Sequence, residues 1–204
     1  MKTTALAIIL VVFLSGSAYP QFAAQLSTAR TVSSGVSKGG VYAGIYDHAF
    51  GILGQYRYGV GGYTDIGIKA GLLDIDSRGD DITGFDASFD LKYQVMELRM
   101  RDPLELSIGG TFEFLVADEL NILSLGFATI GSYPINLNSG RVLEPYGRLH
   151  LRVQREDTDF GDDTSLEIGF NMGTAFELSR QITALGEIQF DDEFAFLFGV
   201  DFGL

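Results

Sequence analysis

Residues Gly84 to Val95 alternate without a break. Phe85, Ala87, Phe89, Leu91, Tyr93 and Val95 fall on one face, and Asp86, Ser88, Asp90, Lys92 and Gln94 on the other. Successive side chains of an extended strand point to opposite sides, whereas a helix would scatter the same residues around its circumference. The segment is therefore a two-faced β-strand, apolar on one side and polar or charged on the other. The pattern recurs at 65–72, 104–114, 148–154, 166–177 and 194–202. Weaker versions near 41–49, 52–61, 121–133 and 181–190 bring the expected number of strands to ten, or to eight if the glycine-rich stretch 39–62 pairs differently. The connections are short, as hairpins require, so sequential antiparallel pairing is the simplest topology. No domain boundary interrupts residues 39–204.

The N-terminus reads as a secretory signal. Lys2 precedes an apolar stretch, Ala5 to Leu14, that is too short to span a bilayer as a helix, and Gly16-Ser17-Ala18 offers small residues for cleavage after Ala18. Residues 1–18 are expected to be removed. Residues 19–38, rich in Ser, Ala, Gln and Thr, are expected to form a flexible lead-in. No later segment approaches the ~20 apolar residues of a membrane helix. A mature chain embedded in a membrane must then be a closed barrel, because lipid leaves no other way to satisfy the backbone.

Alternation alone does not say which face is wet. A soluble lipocalin-like barrel keeps its apolar face inside; a membrane barrel turns it outward. Four features favour the inverted form. Several strands hold their pattern for about eleven residues, the length of a tilted membrane strand. No charge interrupts the apolar faces of the strong strands, where Arg or Lys would cost about 2–4 kcal/mol at the bilayer midplane. The polar faces mix small residues with charges of both signs, which suits a narrow interior that side chains must fill. The expected interior set is Arg57, Lys69, Lys92, Arg148, His150 and Arg152 with Asp86, Asp90, Glu105, Glu113, Glu167 and Glu177. Buried charges are expensive unless paired. Finally, with both chain ends on the inner side, the outer connections collect acids: Asp74, Asp76, Asp80 and Asp81; Asp118 and Glu119; Glu156, Asp157, Asp159, Asp162 and Asp163; Asp191, Asp192 and Glu193. The inner turns hold Arg99, Arg101, Arg141 and Arg180. The connection 134–141 is long for an inner turn.

The C-terminal run Phe194-Ala195-Phe196-Leu197-Phe198-Gly199-Val200-Asp201-Phe202-Gly203-Leu204 resembles the terminal strand of bacterial outer-membrane β-barrel proteins, the group of the OmpA/OmpX-like and porin-like barrels. The resemblance implies an outer-membrane location and a bilayer carrying lipopolysaccharide. It also implies that Phe194, Phe196, Phe198, Val200 and Phe202 form the signal read by the barrel-assembly machinery. The chain departs from that pattern in ending on Leu204 and not on an aromatic residue.

Little in the sequence points to chemistry. There is no cysteine, so disulfides, thiolate metal sites and thiol nucleophiles are absent. A net charge of −13 argues against a nucleic-acid partner. No phosphate-binding loop or dinucleotide fingerprint appears, and no cofactor is expected. His150 lies between Arg148 and Arg152 with no serine at a neighbouring same-face position, so it reads as an interior histidine. Asp157, Asp159, Asp162 and Asp163 resemble a Ca²⁺ loop without its distal Glu. They read first as a solvated acidic loop, and second as weak ligands for a divalent cation. The expectation is an all-β, single antiparallel up-and-down transmembrane β-barrel, monomeric and not an enzyme, with a packed polar lumen and acidic outer loops. Its expected role is structural or one of interaction. A narrow channel, a lipid-modifying barrel enzyme and a secreted barrel for an apolar ligand are the alternatives.

Overall fold

The computed structural model describes residues 26–77, 80–98, 102–118, 120–158, 161–190 and 194–204; the expected signal peptide lies outside this range. The strands are β1 (Ser37–Tyr46), β2 (Ala49–Gly59), β3 (Thr64–Ser77), β4 (Asp80–Met96), β5 (Glu105–Ala117), β6 (Leu120–Ser132), β7 (Ile135–Asn136), β8 (Val142–Thr158), β9 (Gly161–Glu177), β10 (Ile182–Phe190) and β11 (Phe194–Gly203). Each long strand pairs antiparallel with the next. β6 pairs with β8, and β11 returns to β1, from Lys38↔Gly203 to Tyr46↔Ala195. The sheet closes into a ten-strand barrel, which removes its edges. The long inner connection is accounted for by β7, which folds back on β8 through Ile135↔Leu143 and Asn136↔Val142, around a turn with Gly140 at φ +76.

The period of two decides which residues face lipid. On β4, Phe89 is 46 % exposed and its neighbour Asp90 is 0 %. Phe112, Phe127, Leu151, Phe170, Phe196 and Phe198 also stand on the outer surface. This inverts a soluble barrel, whose aromatic residues would fill the interior, and it rules out the lipocalin-like alternative. The exterior is the apolar belt of a transmembrane barrel.

The strands reach further outward than the alternation marked. Asp74 lies within β3, Glu156 and Asp157 within β8, and Asp162 and Asp163 within β9. These acids are carried on strand ends and not on loops. The β8–β9 ladder continues to Thr158↔Gly161, because lengthening an existing ladder needs only extended backbone on both sides.

Two parts of the interior depart from expectation. At the outer end it is apolar: Tyr46, Leu53, Leu73, Ile75, Leu115, Ile122 and Leu197 form one buried cluster. At the inner end, residues expected to be a loose lead-in are packed. Leu26, Ala29 and Val32 are buried in the lumen, and a parallel bridge joins Ser34 to Gly59. A side chain at Gly59 would collide with the carbonyl groups of Val32 and Ser33, so glycine there lets the segment pass close to the wall. Residues 19–25 of the lead-in lie outside the described range.

Candidate functional site

The lumen between the apolar cap and the N-terminal segment is the polar heart of the molecule. Ten of the twelve expected interior residues are buried there: Arg57, Lys69, Asp86, Asp90, Lys92, Glu105, Glu113, Arg148, His150 and Arg152. Glu167 and Glu177 are half-buried, Glu167 directly opposite Arg152 in the β8/β9 register and Glu177 at the inner mouth.

Three clusters organise these charges. In the first, Arg57 on β2 reaches Asp90 on β4 with bonds of 2.8 and 3.1 Å, and also pairs with Asp65 on β3. Lys92 stands 3.4 Å from Asp65. In the second, Lys69 on β3 lies within electrostatic reach of Glu113 and Asp86 on the next two strands. The third centres on Glu187 of β10, which accepts four hydrogen bonds: from Tyr146 (2.7 Å), Arg148 (2.6 Å), Asn171 (2.9 Å) and Gln189 (2.8 Å). Cations and carboxylates from adjacent strands, or from strands one apart, thus meet where the barrel excludes bulk water, and pairing offsets the cost of burying them.

Several members of this network were outside the expected set. Asp65 and Glu187 are the anionic centres of two clusters, and Glu144 and Asp201 are buried beside them. Tyr42 donates to Asp201, and Ser132 donates to Glu144 at 2.7 Å. The signal that would have found Glu187 is the same alternation, since Glu187 and Gln189 fall between Gly186, Ile188 and Phe190.

The N-terminal segment is tied into this network from five strands. Lys92 donates to Ser27 Oγ (3.1 Å) and to the carbonyls of Thr28 (3.0 Å) and Arg30 (2.9 Å). Val32 N–H donates to Asp65 (2.8 Å), Thr31 N–H to Gln94 (3.2 Å) and Ala29 N–H to Ser132 Oγ (3.2 Å). Gln55 donates to the Leu26 carbonyl at 3.0 Å. Arg30 donates to Glu144 through Nε at 3.0 Å. Burial disfavours the Arg30 charge, but the Glu144 carboxylate outweighs it and holds the guanidinium above its ordinary range. Around the segment, a cavity of about 370 Å³ opens toward the inner side, lined in part by Lys38, Glu97, Glu105 and Glu177.

His150 lines a cavity of about 20 Å³ together with Glu113, Ser124, Arg148 and Arg152. The fold brings Ser124 and His150 to one place, which their spacing in the sequence did not indicate. That space admits about one water molecule and no lipid substrate. At the outer tip, Asp157 and Asp162 face each other across β8 and β9, and Asp162 pairs with Arg155 at 3.0 Å. Asp159 lies outside the described residues. Among the described residues no group of three or more His, Asp or Glu side chains is placed to hold a metal ion.

No family model matches the chain, and no curated protein does. Solved structures do. The β domain of the Bordetella autotransporter BrkA aligns over 84 % of this chain and 100 % of its own, with 13 % identity and a TM-score of 0.51. The N-terminal β-barrel domain of Pseudomonas aeruginosa OprF aligns over 85 % and 100 %, with 12 % identity and a TM-score of 0.40. An outer-membrane channel from Pseudomonas putida F1 aligns over 89 % and 100 %, with 9 % identity and a TM-score of 0.46. The likeness is one of fold. The lipid-facing belt makes this chain a transmembrane β-barrel.

Proposed function

We propose that this protein acts as a closed outer-membrane scaffold, carrying acidic hairpins on its outer side, and not as an open pore. The observation that carries this reading is the filled lumen. Apolar side chains close the outer end, ion pairs span the middle, and residues 26–32 occupy the inner end. Open aqueous channels belong to barrels of about sixteen strands, and ten strands enclose little more than their own side chains. Single-channel recording of the refolded chain in planar bilayers tests the reading. A silent membrane is expected; stable unitary steps would overturn it in favour of a narrow channel.

The same proposal takes residues 1–18 as a cleaved signal peptide and the closing strand as the assembly signal. Phe194, Phe196, Phe198 and Phe202 face outward on β11, with Val200 half-buried among them. Lipopolysaccharide surrounds the outer half in this reading, and the barrel is a monomer.

A further inference from the structure

Over its outer half, strand β9 has a partner on one side only. β8 runs beside it to the tip, from Leu143↔Phe176 to Thr158↔Gly161, with no shift of register. On the other side β10 stops at Phe190, opposite Phe170. Among the described residues, nothing pairs with that edge of Gly161–Gly169. β3 is paired with β2 up to Ile75↔Ala49 and β6 with β8 up to Leu120↔Thr158, while β4, among the described residues, carries a shorter open edge, Asp80–Gly84, beyond its last pair with β5, Phe85↔Val116.

Hydrocarbon cannot satisfy an open strand edge, so this one belongs at the outer rim of the lipid-facing belt, where Ile168 lies opposite Leu151 and the residues beyond it turn polar. Its only guards are the charges of Asp162, Asp163 and Glu167. It has no proline, no lysine and no bulge. Thr164 N–H turns to the carboxylate of its own neighbour, Asp163, at 2.8 Å. Leu166 and Ile168 are 62 % and 52 % exposed.

We propose that the β9 edge between Gly161 and Gly169 is a docking site for an extended segment of a partner protein, which adds to the barrel wall as an extra strand. Main-chain hydrogen bonds would supply affinity and the side chains specificity. The edge is acidic at its tip, through Asp162 and Asp163, and apolar lower down, through Leu166 and Ile168. Its complement is a segment basic at one end and apolar at the other. A second copy of this chain fits poorly. Parallel pairing sets Asp162 against Asp162, and antiparallel pairing about Ser165 sets Asp163 against Glu167, and like charges directly opposite destabilise a sheet. The proposal rests on the scaffold reading and deepens it, but its test is independent of conductance.

The test uses the full chain refolded in nanodiscs and a fluorescent peptide of about nine residues, with lysines to face Asp162 and Asp163 and valines to face Leu166 and Ile168. Two further peptides carry N-methyl groups on alternate residues. A strand uses the N–H groups of alternate residues only, so one methylated peptide should bind at least about tenfold more weakly while the other stays within about threefold. The double variant D162N/D163N, both sites being exposed, should also weaken binding by about tenfold and flatten its salt dependence, with an unchanged circular dichroism spectrum. Equal loss with both methylated peptides, no binding at all, or a native mass spectrum showing the edge already taken by a second copy would overturn the proposal.

Discussion

Tyr146 lies over Gly173 inside the barrel, so close that a methyl group on Gly173 would stand 2.5 Å from the ring, and its hydroxyl reaches on to Glu187. The glycine makes the space in which the tyrosine can serve the carboxylate. Gly173→Ala should cost about 1–3 kcal/mol through overpacking. Tyr146→Phe should cost about 1.5–3 kcal/mol, because it removes a hydrogen bond to a charged group. Urea unfolding in lipid vesicles, followed by circular dichroism because the chain has no tryptophan, measures both.

Glu187 is the counter-charge of Arg148 and the acceptor for three neutral donors. Glu187→Ala should destabilise by about 3–5 kcal/mol, because a buried guanidinium loses its partner. The double variant R148M/E187L should recover much of that loss. A double-mutant cycle in the same unfolding assay reads the difference. Additive losses would show that the two residues do not act as a pair.

Lys92 holds three groups of the N-terminal segment. The chain has no cysteine, so a single Ser27→Cys gives a clean probe. In the otherwise native protein this thiol should react slowly with a bulky maleimide. Adding Lys92→Met should raise the labelling rate by about tenfold or more, the equivalent of about 1.4 kcal/mol less protection. Equal rates would mean that the segment is held in place by other contacts.

Phe89 lies near the middle of the outward face of β4. Phe89→Arg should cost about 2–4 kcal/mol in a bilayer. The same change at Val153, nearer the polar tip of β8, should cost less, about 0–1 kcal/mol if it reaches the interface. Similar losses at both sites would argue against a bilayer belt at this height.

The strand order, the wet face and most of the buried charges were legible in the sequence, because side-chain direction in a strand follows parity alone. Phe89 and Asp90 show this directly. Parity is least visible where both faces are apolar. Phe114-Leu115-Val116 and Phe196-Leu197-Phe198 each place a leucine inside between two outward residues, and these runs mark the apolar cap. The packing of Leu26 to Val32 left no trace of any period. That segment is irregular, and its partners, among them Gln55, Asp65, Lys92 and Glu144, are distant in sequence. Ser124 and His150 share a cavity because β6 pairs with β8 across the β7 connection and both side chains turn inward, a register that the spacing of the two residues does not show.

The packed N-terminal segment sets an order of events during biogenesis. It precedes β1 directly, so it is synthesised before any of the barrel. Yet its partners come from β2, β3, β4, β6 and β8, and the seam that encloses it cannot zip until β11 arrives. The segment must therefore wait, unpartnered, until nearly all the rest of the chain has been made.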